Sequence, residues 1–111
     1  MKNGNVESVR DWNLTKFQQF IRDAYGAKDA RRGIDGTFMW FMSEVGELAE
    51  ALRGQHKSEE VAKEFADVLA WLATLANIAG IDLNAAIEMK YGRGCPYCEK
   101  IPCLCSPTEK P

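Results

Sequence analysis

The chain reads as an all-α protein: a bundle of four helices in which the second and third lie antiparallel, followed by a short cysteine-rich, metal-binding tail. Three observations lead there. Apolar residues recur at i, i+3, i+4 and i+7 in successive segments, the spacing of one buried stripe on a helix. No segment shows the strand-like alternation that would compete with that period. All four cysteines fall between Cys95 and Cys105, past the point where the helical pattern stops.

Residues 1–12 form a polar lead-in. A first helix is expected from Thr15 to Tyr25, with Phe17, Phe20, Ile21 and Ala24 on one stripe. Thr15 with Gln18 fits a capping box, and Gly26 fits a stop. The charged, glycine-containing stretch from Lys28 to Gly36 is expected as a loop. A second helix runs from Thr37 to Leu52 or Arg53, with Phe38, Phe41, Met42, Val45, Leu48, Ala49 and Leu52 on its apolar arc. The short turn from Gly54 to Lys57 sets the next helix antiparallel. Ser58 is its expected N-cap, Glu59 and Glu60 suit its dipole, and Gly80 stops it. Its stripe is Val61, Phe65, Val68, Leu69, Leu72 and Ala76. Asp82 caps a fourth, shorter helix through Lys90. The division that follows is a helical domain over residues 1–93 and a tail over 94–111.

At 111 residues the chain is long enough for one modest core, so association with a second copy would help cover apolar surface. A formal net charge of -2 and a pI of about 5.4 argue against broad nucleic-acid binding. Met1 to Arg10 lacks the apolar stretch of a secretory signal, and no apolar run approaches the roughly 20 residues that span a bilayer. A cytoplasmic location without membrane contact is the expectation.

The most informative residues are acidic. Glu44 and Glu47 stand in S-E-V-G-E-L-A-E-A-L, and Glu64 and Asp67 in K-E-F-A-D-V-L-A-W-L. Each pair is spaced i, i+3, so both carboxylates lie on one side of a helix, about 60° apart at the rim of the apolar arc. Trp40 and Trp71 fall between the two acids of their own helix in projection. A carboxylate half in the core needs a cation or a hydrogen-bond partner, and hard divalent cations take oxygen ligands. Acids on helices are also commonly plain solvated charge, and Glu50, Glu59 and Glu60 read that way. The only histidine, His56, lies in the predicted turn. The E-x-x-H pairs of di-iron bundles are therefore missing from the acidic motifs.

E-V-G-E-L-A-E-A-L at 44–52, then E-F-A-D-V-L at 64–69, resembles the MazG-type nucleotide pyrophosphohydrolases, an all-α nucleoside triphosphate pyrophosphatase family. The family signature is E-x-x-E, a spacer, then E-x-x-D, and here the spacer is sixteen residues. G-I-D-L-N-A-A-I-E-M-K at 80–90 extends the resemblance, which covers about residues 14–93. It implies that Glu44, Glu47, Glu64 and Asp67 are the catalytic acids and hold Mg²⁺, with Mn²⁺ as a substitute. It implies attack of a water on the α-phosphorus of a nucleoside triphosphate, releasing the monophosphate and pyrophosphate. One glutamate would serve as general base; the sequence leaves open which. The role would be nucleotide-pool housecleaning, and the assembly a homodimer or a dimer of dimers.

A polyphosphate also needs cations. Lys28, Arg31 and Arg32 precede the second helix, and Lys90 and Arg93 end the fourth. Lys90 matches a lysine common in the family's fourth helix, which makes it the preferred phosphate ligand. Where the family often has an asparagine soon after, this chain has Tyr91, Gly92 and Arg93. Trp40 and Trp71 are candidates to stack on a base, although aromatics at helical spacing more often serve the core.

In the tail, Cys95-Pro-Tyr-Cys98 and Cys103-Leu-Cys105 place four thiols in eleven residues. Four thiolates suit a closed tetrahedral Zn²⁺ site, and a segment this short, with Pro96 and Pro102, cannot build a core. A flexible thiol tail and an iron–sulfur cluster are the other readings. For the chain as a whole, the alternative to an enzyme is a non-catalytic helical module that binds a nucleotide or a protein.

Overall fold

The computed structural model describes residues 11–107. All but the last two residues of the polar lead-in lie outside them, as does the end of the tail. Among the described residues there are three helical elements, not four: α1 (Leu14–Arg53), α2 (Ser58–Ala79) and α3 (Leu83–Tyr91), with no strand. The first two predicted helices are one element, and the loop expected over Lys28–Gly36 is helical except at a single residue.

That residue is Gly33, with φ 80° and ψ 177° inside α1. Only glycine visits this region readily. A Cβ there would meet nothing within 4 Å, so the requirement is conformational and not one of space. A straight helix of this length would span about 60 Å. The longest dimension of the molecule is 50 Å, which the bend at Gly33 makes possible. Gly26 does not stop the helix, because ordinary helical conformation costs glycine only about 1 kcal/mol relative to alanine. The start also differs from the expected capping box: Asn13 is the N-cap, its side chain accepting from the Lys16 N–H at 2.8 Å.

The later boundaries agree with expectation to within a residue. Lys57 rather than Ser58 is the N-cap of α2, and its N–H donates to Glu60 at 3.4 Å. Gly80 ends α2 in left-handed conformation, with the Ile81 N–H reaching back to the Ala76 carbonyl at 2.8 Å. Asp82 caps α3 through the Ala85 N–H.

Residues pair in opposite order along α1 and α2: Trp40 meets Trp71, while Glu47 shares a recess with Glu64. The two are therefore antiparallel, as the short turn requires. Gln18 joins all three elements. Buried to 4 % exposure, it donates to Asn77 and to the Ile81 carbonyl at 2.9 and 2.7 Å, and accepts from the Leu83 N–H at 2.9 Å.

The buried apolar core is small, comprising Ile21, Ala51, Ala73, Ala76 and Cys95. The arcs that periodicity predicts as buried are largely exposed: Phe38, Met42 and Leu52 on α1, and Phe65, Leu69 and Leu72 on α2. Two long helices cover only one side of each other, and α3 is too short to cover the rest. No single helix among the described residues is long and apolar enough to cross a membrane. Only α2 and α3 together reach that length and composition, and they meet at 94°.

Candidate functional site

The antiparallel pairing of α1 and α2 brings the acidic motifs face to face. Carboxylate oxygens of Glu44, Glu47 and Glu64 all lie within 4.8 Å of one another. Glu44 and Glu64 are half-buried, and Glu47 is exposed. One oxygen of Glu64, Oε1, is buried with no hydrogen-bond partner. Burial raises the pKa of Glu44 above its ordinary 4.5, and the neighbouring charges of Glu47, Asp67 and Glu64 push it the same way. Like charges in a partly dry setting with an unpaired oxygen are chemically suited to a hard divalent cation. Asp67 is not in the three-acid group. It acts on Glu44 from one turn along α2 and lines the adjoining cleft.

That cleft has a volume of about 340 Å³, with Lys28, Asp29, Arg32 and Tyr25 from the first arm of α1 opposite Asp67 and Trp71 from α2. The bend at Gly33 allows both arms of α1 to face α2. Trp40 stacks on Trp71, ring centroids 5.9 Å apart and planes 14° apart, and the Arg32 guanidinium lies 4.8 Å from the Trp71 ring centre. Arg32 is held in place: its NH2 makes an ion pair with Asp29, and its Nε donates to Thr37 Oγ1 at 3.2 Å. Lys28 makes no ion pair among the described residues. Arg31 is exposed and does not line the cleft.

Lys90 and Arg93 are placed elsewhere. They line a separate recess at the end of α3, where Arg93 pairs with Glu99 at 3.7 Å and Lys90 Nζ lies 5.8 Å from the Tyr91 ring centre. Within the single chain, no described contact carries either residue to the acids.

Two residues near the acids carry no strong signal in the sequence. Asp29 is 3 % exposed, with Oδ2 unpaired, although it falls where a loop is expected. Its spacing of i, i+3 to Arg32 was the available signal. His56 is exposed, but it shares a small recess with Glu47, Glu50, Glu60 and Glu64, its Nδ1 3.8 Å from Glu60.

The four cysteines form a second cluster, with all four sulfurs within 4.8 Å of one another and none in a disulfide. Hydrogen bonds from the backbone at Cys98 and Tyr97 pull the Cys95 thiol down to about 6. The chemistry of this donor set fits a soft or borderline metal ion.

Among the described residues this is an all-helical protein whose E-x-x-E and E-x-x-D motifs face one another beside a cleft lined by cations and aromatics. The family model of the MazG nucleotide pyrophosphohydrolase domain matches residues 33–98, more than half of the chain, and the protein belongs to that family. The match begins at the α1 bend, later than the resemblance in the residues suggested, and runs on through Cys98. No curated protein matches the chain.

Proposed function

We propose that the protein is a Mg²⁺-dependent nucleoside triphosphate pyrophosphohydrolase, with Mn²⁺ able to substitute, that yields the monophosphate and pyrophosphate. The observation that carries the reading is the convergence of Glu44, Glu47 and Glu64 around an unpaired buried oxygen, in a chain of this family. Glu44, Glu47, Glu64 and Asp67 are the residues to hold the metal. When bound there, Mg²⁺ neutralises acids and triphosphate alike and lowers the pKa of water. Without that neutralisation the acid group would repel a triphosphate.

The chain's own residues then divide the work. Glu47 is our choice to accept a proton from an attacking water, because it is the most exposed of the three converging acids. Lys28, without an ion pair among the described residues, offers its charge to the phosphates from the cleft wall. Arg32 is the weaker candidate, because Asp29 already neutralises it. Trp40 and Trp71 form the aromatic wall on which a base can rest. The helical part up to residue 93 carries this chemistry, and the nucleotide pool of the cytoplasm is its expected setting.

The exposed arcs of α1 and α2 support a homodimer, since large side chains such as Phe38 and Phe65 are about half exposed in the single chain. Lys90 and Arg93 would serve as phosphate ligands only if such a pair brought them to the acids of a partner.

The test is pyrophosphate release from a panel of canonical and modified nucleoside triphosphates with Mg²⁺. Turnover of at least one substrate is expected. Binding without turnover across the panel would favour the non-catalytic module.

A further inference from the structure

The cysteine cluster stands apart from the acids, on a different element, and the proposed reaction makes no use of it. We propose that Cys95, Cys98, Cys103 and Cys105 form a closed tetrathiolate Zn²⁺ site whose task is to fold the tail against the end of α3.

The sulfur geometry carries this. The sulfurs of Cys95 and Cys103 are 3.5 Å apart, those of Cys95 and Cys105 3.8 Å, and those of Cys98 and Cys103 3.9 Å. Four sulfurs at the corners of a tetrahedron, each about 2.3 Å from a central Zn²⁺, stand about 3.8 Å from one another. A disulfide would need about 2.05 Å, so the sulfurs are arranged around a point and not bonded in pairs. In a multi-iron cluster the four cysteines are spread over more than one iron, so they do not all stand as close together as ligands of one ion. With all four positions taken by protein, no site is left open for substrate, which is the mark of a structural ion.

The backbone agrees. The Leu104 N–H points at Cys98 Sγ at 3.4 Å and the Cys105 N–H at Cys103 Sγ at 3.3 Å, the outer donors that thiolate ligands need. Gly94, at φ 106°, turns the chain into the first cysteine pair, and a Cβ there would come within 2.9 Å of Ile101 Cγ1. The Glu99 N–H then closes the turn on the Cys95 carbonyl at 2.7 Å. Hydrophobic burial cannot hold this segment: Tyr97, Ile101 and Leu104 are 67 %, 86 % and 74 % exposed, and Cys95 is its only buried residue among those described. An ion at its centre supplies what the missing core does not.

The site has a structural consequence. Cys95, Pro96 and Glu99 make one wall of the recess that contains Lys90 and Arg93. Losing the ion would remove that wall while leaving α1 and α2 as they are.

The experiment uses the full chain, purified under reducing conditions. Metal analysis is expected to find one zinc ion per chain. Replacing zinc with Co²⁺ should give the intense visible absorption of a tetrahedral thiolate site. Cys98→Ser and Cys103→Ser should each lose the metal and the hydrogen-exchange protection of residues 94–105, with the helical signal unchanged. Glu44→Ala and Glu64→Ala should keep the zinc, which separates this site from the carboxylates. Iron in place of zinc, four thiols that all react freely in the purified protein, or zinc retained by both serine variants would overturn the proposal.

Discussion

Trp40 and Trp71 stack across the seam between α1 and α2, each one turn from an acid pair, so the two rings and the facing acids are fixed by the same helix contact. Arg32 lies over the Trp71 ring as well, which leaves the half-exposed Trp40 as the more open surface. Base stacking on an aromatic side chain is worth about 1–3 kcal/mol. Trp40→Ala should therefore raise KM for the preferred triphosphate about tenfold or more, with a smaller change in kcat. Steady-state kinetics check this, and an unchanged KM would place the base elsewhere.

Glu44 sets a pH dependence. In the metal-free protein its pKa is raised, first by burial and then by Glu47, Asp67 and Glu64. The folded chain thus holds this proton more tightly than the unfolded chain. Stability is fullest below the ordinary value of 4.5 and falls as pH rises through the raised folded value, after which the penalty is constant. A cation favours the ionised form and offsets the penalty. Mg²⁺ should therefore raise the melting temperature more at neutral pH than at about pH 5, where protons compete with it. Glu44→Gln should stabilise the metal-free protein at neutral pH and weaken the Mg²⁺ response. Melting curves with and without Mg²⁺ at both pH values decide it; equal shifts would count against the site.

Gln18 is the joint between α1, the end of α2 and the start of α3. Gln18→Leu would leave the Leu83 N–H and the Ile81 carbonyl without their partner. An unsatisfied buried group costs about 1–3 kcal/mol, and with Leu83 half-buried and Ile81 about half exposed a loss of about 1–2 kcal/mol is expected in urea unfolding. A loss below 1 kcal/mol would mean that water replaces the side chain.

Much of this architecture is legible in the residues because the signals are local. Gly80 and Asp82 mark the α2–α3 corner through caps that need no distant partner, and the acid spacing needs only the helical period. What periodicity cannot tell is what covers a stripe. Phe38 and Phe65 recur where a core is expected, yet the described residues leave both about half exposed. The loop expected between Lys28 and Gly36 fails for a local reason that charge and glycine content hide. Asp29 pairs with Arg32, and Arg32 reaches Thr37 across the bend, so helix persists on both sides of Gly33. The separation of Asp67 from the three converging acids depends on how α1 is rotated against α2, and no spacing records that.

Gly33 is accordingly a sensitive position. Its backbone conformation costs a residue with a side chain about 1–3 kcal/mol, even though there is room for a Cβ. Gly33→Ala should either lose about that much stability or straighten α1 and pull Lys28 away from Asp67. Thermal unfolding and KM for triphosphate together detect both outcomes; a variant unchanged in each would show that the bend is not required.

The exposed arcs predict assembly. Light scattering should give the mass of a dimer or a tetramer, and Phe65→Glu should shift it toward the monomer by placing charge on the apolar face. A monomer at high protein concentration would contradict the pairing.

The central claim is hydrolysis at the α-phosphorus by carboxylate-held metal. Turnover in ¹⁸O-labelled water tests it directly. The label should appear in the nucleoside monophosphate and not in pyrophosphate, and Glu47→Ala and Asp67→Ala should each slow the reaction about a hundredfold or more. Label in pyrophosphate, release of orthophosphate, or full activity in both variants would contradict the account.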